Sequence, residues 1–138
     1  MRILLAAITT SIVAACLTPA AMADERLGAE AIGGLFPGYY QAEVQGGYTL
    51  LIAAGADGKL AGKAFGREDR GTWTIAGDRL CVSWKRWTKG QARCGEIVRN
   101  GAWYVAANAA EGQLLRFTAI AASKFATMVA TASRDDRN

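Results

Sequence analysis

Histidine is absent from all 138 residues. Without an imidazole the chain lacks the usual base near neutral pH and most of the side-chain sets that hold zinc. Ser83 has no histidine to activate it, and no other serine stands in a nucleophile-elbow sequence. The glycines mark turns, and none builds a phosphate loop leading into a helix. No two carboxylates suggest the facing pair that glycoside hydrolysis needs. Glu68 and Asp69 share the charged stretch Gly66 to Gly71 with Arg67 and Arg70, which reads as a solvated, self-compensating loop with too few ordered oxygens for calcium. Asp57 and Asp78 fall in turns, where their carboxylates bond the local backbone. There is no internal repeat and no low-complexity linker. The 16 basic and 12 acidic residues give a formal charge of +4, but the basic ones are scattered and form no dense nucleic-acid-binding patch. These absences argue against a hydrolase, a metal or cofactor enzyme and a nucleic-acid binder.

What is present begins with an export signal. Arg2 precedes the uncharged apolar run Ile3 to Cys16, Pro19 breaks any helix, and Ala21-Met22-Ala23 offers a cleavage site before Asp24-Glu25. The run is shorter than the roughly 20 apolar residues of a membrane span. A second reading stands beside the first: Val13-Ala14-Ala15-Cys16 resembles a lipobox, with Cys16 lipidated and Leu17 to Ala31 as a tether. The expected location is periplasmic or secreted, or else membrane-anchored through Cys16. Cleavage after Ala23 leaves 115 of the 138 residues and lowers the charge from +4 to +3. That is enough for one domain. So mild a charge solubilises, or draws the protein weakly to an anionic envelope surface.

Cys81 and Cys94 are expected to form a structural disulfide in that oxidising compartment. Twelve residues separate them, with the turn signal Thr88-Lys89-Gly90 between. Closing such a loop stabilises by roughly 3 kcal/mol in the chain-entropy model, and the spacing is wider than a redox-active Cys-x-x-Cys.

Within the expected divisions, residues 24–38 form a lead-in, 39–132 a single β-domain and 133–138 a polar tail. Leu27 to Leu35 has apolar residues near helical spacing, is read as a short helix or an irregular lead-in, and would pack across one end of the domain. Strands are expected over Tyr39 to Val44, Tyr48 to Ala53, Leu60 to Phe65, Thr72 to Ile75, Leu80 to Trp84, Ala92 to Val98, Ala102 to Ala107 and Gln113 to Ile120, with Ser123 to Ala130 as a further candidate. Asp57-Gly58 and Asn100-Gly101 are hairpin turn signals. Leu80, Val82 and Trp84 alternate with Cys81 and Ser83, the mark of a sheet with one buried face. The fold class is all-β: an antiparallel up-and-down meander of seven to eight strands, closing into a small barrel or a curved sandwich.

Two aromatic groups are candidate sites. Trp73, Trp84 and Tyr104 are placed in the core or lining a pocket, with their polar atoms paired. Of Tyr39-Tyr40 and of Trp103-Tyr104, alternation puts only one residue inside. Small strand residues (Ala53, Ala61, Ala64, Ala106) leave room for a cavity or let sheets pack closely. Lys85, Arg86, Trp87 and Lys89 interleave an aromatic with three cations on the hairpin that the disulfide pins. They would grip an anionic group or acidic partner, or simply be solvated with Trp87 covering the outside of the hairpin.

The pattern Asp57-Gly58, Gly71-Thr72-Trp73, Gly77-Asp78-x-Leu80-Cys81-x-x-Trp84, Trp87 and Cys94, with the Leu35-Phe36-Pro37-Gly38 lead-in, resembles small exported proteobacterial proteins of unknown function. The likeness spans Leu35 to Tyr104. It implies a compact β-domain with a hairpin disulfide and carries no catalytic residue. The functional expectation is a non-enzymatic envelope protein that binds an unknown ligand or an envelope protein. Alternatives are an inhibitor of an envelope-targeting enzyme such as a lysozyme, or a membrane-tethered lipoprotein with a structural or assembly role. A carrier should show an apolar cavity lined by Trp73, Trp84 and Tyr104; a partner-binder should show a filled core with Trp87 and the hairpin cations exposed together.

Overall fold

Alternating strands and tight turns carry this chain back and forth around a closed wall. The computed structural model describes residues 24–45 and 47–137; the expected leader and Cys16 lie outside them. The elements are β1 (Glu25–Arg26), α1 (Ala29–Leu35), β2 (Gly38–Val44), β3 (Tyr48–Ala54), β4 (Lys59–Ala64), β5 (Arg67–Ala76), β6 (Arg79–Trp84), β7 (Ala92–Asn100), β8 (Trp103–Asn108), β9 (Gly112–Ile120) and α2 (Ala122–Asp135). Each strand from β2 to β9 pairs antiparallel with the next, and β9 returns to β2 from Tyr39↔Ile120 to Val44↔Leu115. The result is an eight-stranded up-and-down barrel, and not a sandwich. Closure pairs the edges that an open sheet would leave exposed.

The extra strand β1 extends one edge of β7. There β6 pairs with Ala92 to Gly95, and Glu25–Arg26 continue along Arg99 and Val98. Gly58, at φ +80°, supplies the positive φ that the Asp57-Gly58 turn needs, and the Asp57 carboxylate receives the Lys59 N–H (3.1 Å). Asp78 departs from the expected local role: its Oδ1 accepts the Ala29 N–H at 3.1 Å and so caps α1, whose own cap residue, Gly28, has no side chain to do so.

Three expectations are corrected. Gly66 to Gly71 is not a loop, because Phe65-Gly66 alone makes the turn and Arg67 already pairs with Ala64. Ser123 to Ala130 is not a strand. Once β9 has β8 and β2 on its two edges, no further strand can join, and the segment, whose alanines tolerate helix well, folds as one. Phe125, Met128, Val129 and Ala132 recur at helical spacing and are half-buried against the outer wall, where the Phe125 ring lies 4.9 Å from that of Tyr39. The expected tail boundary at 132/133 therefore falls inside α2.

The meander sorts its turns between two ends. Residues 55–58, 77–78 and 101–102 turn at one end, and α1 closes it. Ile32 is wholly buried there, Gly33 approaches Ile75, and the Tyr40 hydroxyl donates to the Leu35 carbonyl. Phe36 stacks on Tyr40 at 4.7 Å and meets Trp73 at 5.4 Å. Residues 45–47, 65–66, 85–91 and 109–111 turn at the opposite end, which nothing among the described residues covers in the same way.

Candidate functional site

A cavity of about 810 Å³ occupies the barrel between the α1 plug and the opposite end. Its floor is Phe36, Tyr40 and Phe117; Leu50, Ile52 and Leu60 form one wall, and Leu80, Val82 and Leu115 the other. The rim carries Tyr48, Phe65, Arg67, Trp87, Thr88 and Arg93. Apart from Arg67, Thr88, Arg93, two tyrosine hydroxyls and the indole N–H groups of Trp84 and Trp87, the lining is apolar.

The space exists because inward strand positions hold small residues. Ala64 and Ala106 line the cavity, whereas Ala53 and Ala61 are register partners on the outer face. Nor do all the glycines mark turns, as the sequence suggested. Gly62 lies mid-strand on β4, and a Cβ there would stand 2.7 Å from the Trp87 ring and 2.8 Å from that of Trp84. The bare backbone lets both indoles lie on it, with their rings 4.9 Å apart. Gly95, on β7, is another inward position without a side chain.

The hairpin between β6 and β7 is held from below by Asp69. That residue is only 4% exposed, so the solvated loop expected for it is overturned. Its Oδ2 accepts the Arg86 and Trp87 N–H groups, each at 2.9 Å, and its Oδ1 accepts the Arg70 N–H at 2.8 Å. Burial by itself would push the carboxyl pKa up; the three backbone donors and the nearby Arg86 charge outweigh it and hold the group below its ordinary value. The Thr88 hydroxyl accepts the Trp84 N–H (2.9 Å) and donates to the Gln91 carbonyl (2.7 Å). The rim hairpin is therefore rigidly anchored.

The expected site residues divide. Trp84 is buried on the cavity wall, and Trp87, 38% exposed, leans onto it from the rim and does not cover the outside of the hairpin. Lys85, Arg86 and Lys89 are exposed beside it. Trp73 belongs to the plug, with its indole N–H donated to the Gly55 carbonyl at 2.9 Å. Tyr104 stacks on Phe117 at 5.4 Å, behind the floor. Neither Trp73 nor Tyr104 lines the cavity. Cys81 and Cys94 are direct partners across β6 and β7, joined by a disulfide with Cα atoms 4.0 Å apart. Tyr40 and Tyr104 point inward while Tyr39 and Trp103 lie outside, the latter under the Arg116 guanidinium at 4.5 Å.

Among the described residues no cluster of three or more His, Cys, Asp or Glu could hold a metal ion, and no helix is long and apolar enough to cross a membrane. Fold and site together define a closed up-and-down barrel with an apolar interior chamber. Comparison with protein-family models, with curated proteins and with solved structures finds no match to this chain.

Proposed function

We propose that this is an exported, non-enzymatic binding protein that holds one small molecule, largely apolar in the part it buries, inside its barrel. The observation that carries the reading is the chamber itself. Small-molecule sites run to about 300–1,000 Å³ and are mostly apolar with few polar groups, and a cavity of about 810 Å³ with this lining fits both descriptions. An eight-stranded barrel is just wide enough to be filled by side chains or to hold one small ligand. Interiors otherwise pack with few voids larger than a water. Recognition through Lys85, Arg86, Trp87 and Lys89 alone has less behind it, because Trp87 is drawn onto Trp84 and leaves mainly solvated cations outside.

Export to the periplasm or beyond is part of the same proposal, supported by the leader sequence and by the disulfide. Intact mass of the protein from its native envelope distinguishes a chain starting at Asp24 from one starting at an acylated Cys16. Binding is tested with a neutral apolar fluorophore, 1-aminoanthracene. We expect saturable uptake of one molecule per chain with quenching of tryptophan emission, and its loss in Ala106→Phe and in Ala64→Phe, each verified as folded by circular dichroism. A folded wild-type protein that takes up no fluorophore refutes the reading.

A further inference from the structure

The chamber is chemically lopsided. Its floor has no polar group to offer, since the Tyr40 hydroxyl is engaged by the Leu35 carbonyl and the neighbouring Trp73 indole by the Gly55 carbonyl. Its rim carries two guanidinium groups, Arg67 and Arg93. Arg67 makes no ion pair among the described residues. Arg93 pairs with Glu111, which also meets the Asn108 amide. Of the other carboxylates at this end, Asp69 is saturated by backbone donors and Glu43 pairs with Arg116, Glu68 alternates to the outer face beside Arg67, and Asp135 and Asp136 end α2 on the outside of the Phe65-Gly66 turn. Lys85, Arg86 and Lys89 add positive charge on the adjacent turn.

From this polarity we infer that the ligand is a single-chain amphipathic anion, a carboxylate-headed hydrocarbon seated tail-down. Its tail lies along Leu50, Ile52 and Leu60 towards Phe117, and its head sits between Arg67 and Arg93. A wholly apolar molecule would leave the two guanidiniums without a role, and a hydrophilic anion would leave the floor unused. Guanidinium suits the head because it stays charged at any physiological pH and meets carboxylate through paired, parallel hydrogen bonds. Glu111 is the competitor that the head must share with or displace.

This inference rests on the cavity reading above, and its test separates the two. Decanoate and decan-1-ol are compared as displacers of 1-aminoanthracene from the purified protein. In the absence of a cationic rim the alcohol should win, because burying its hydroxyl costs less than desolvating a carboxylate. We expect the reverse, with decanoate displacing at a roughly tenfold lower concentration, as a charge-assisted hydrogen bond implies. The Arg67→Gln, Arg93→Gln double variant, confirmed as folded by circular dichroism, should lose that preference. Equal displacement by the two compounds, or a stronger effect of the alcohol, overturns the anionic head while leaving the chamber as a binding site. A preference that survives in the double variant overturns the placement of the head. A wild-type protein that binds no fluorophore overturns both readings.

Discussion

Asp69 is the buried carboxylate among the described residues, and it acts as a peg for the rim. Its pKa lies below the ordinary value of 3.8, so the native state favours the ionised form. The stability it contributes is fully present above pH 3.8 and is lost as pH falls further, through the lower folded value. Asp69→Asn should therefore lower Tm at neutral pH and flatten the acid limb of a Tm-against-pH profile below about pH 4. A variant whose acid limb matches the wild type would show that the carboxylate does not anchor the hairpin. Tyr40 is displaced in the other direction, because burial and then the neighbouring Tyr104 push its phenol well above the usual range and keep it a donor to Leu35. The role of Asp69 was partly legible. Asp69, Gly71, Trp73 and Ile75 follow one another at every second residue, which is the inward face of β5. Four consecutive charges from Arg67 to Arg70 hid that alternation, since a run of charge ordinarily means a solvated loop. Gly62 was hidden for a different reason: a glycine gives no sequence sign of whether it bends the backbone or vacates space for a ring.

At the scale of elements, the turn Phe65-Gly66 holds costly backbone, as Lys89 does on the next rim turn. Phe65 has φ +52° and is 69% exposed, its ring edge-on to Tyr48 at 4.7 Å. A bulky side chain in the left-handed region costs roughly 1–2 kcal/mol, and Asn-Gly is the preferred pair in such a hairpin turn. Phe65→Asn should raise stability by up to about 1 kcal/mol in urea unfolding, after allowing for the lost ring contact. It should also weaken fluorophore binding, since Phe65 stands on the rim. No gain in stability would mean that Tyr48 compensates the strain in full. At the opposite end Ile32 sits wholly buried in the plug. Truncation to alanine should cost about 2–5 kcal/mol in the same assay, and a cost below about 1 kcal/mol would show that α1 is merely draped over the barrel. The spacing of Leu27 to Leu35 left α1 open between a short helix and an irregular lead-in, and the structure forms the helix over Ala29–Leu35. The helix α2 was not legible, because its small and β-branched residues suit either structure, and only the closed edges of the barrel decide between them.

For the whole molecule, the meander was the most legible feature, since hairpin turns join neighbours and each turn residue stands where the strand ends. Closure and the chamber were not legible in the same way, because they depend on β9 finding β2, with partners 71 to 81 residues apart, and on inward residues being too small together to fill the space. The disulfide crosses β6 and β7 on the outer face, opposite in alternation to Leu80 and Val82. Cys81→Ser with Cys94→Ser should therefore cost about 3 kcal/mol through loop closure yet leave fluorophore affinity within about twofold, roughly 0.4 kcal/mol. Loss of binding in a folded double variant would show that the bond also shapes the chamber. The plug has a further consequence. With one end shut by α1, the vessel is a bottle and not a pipe, so on the proposed binding role an occupant would leave by the neck through which it entered. A newcomer cannot push it out from behind and must wait until the neck is clear. Exchange of the fluorophore would then be paced by spontaneous departure alone, and its observed rate should level off at the dissociation rate however much competitor is added.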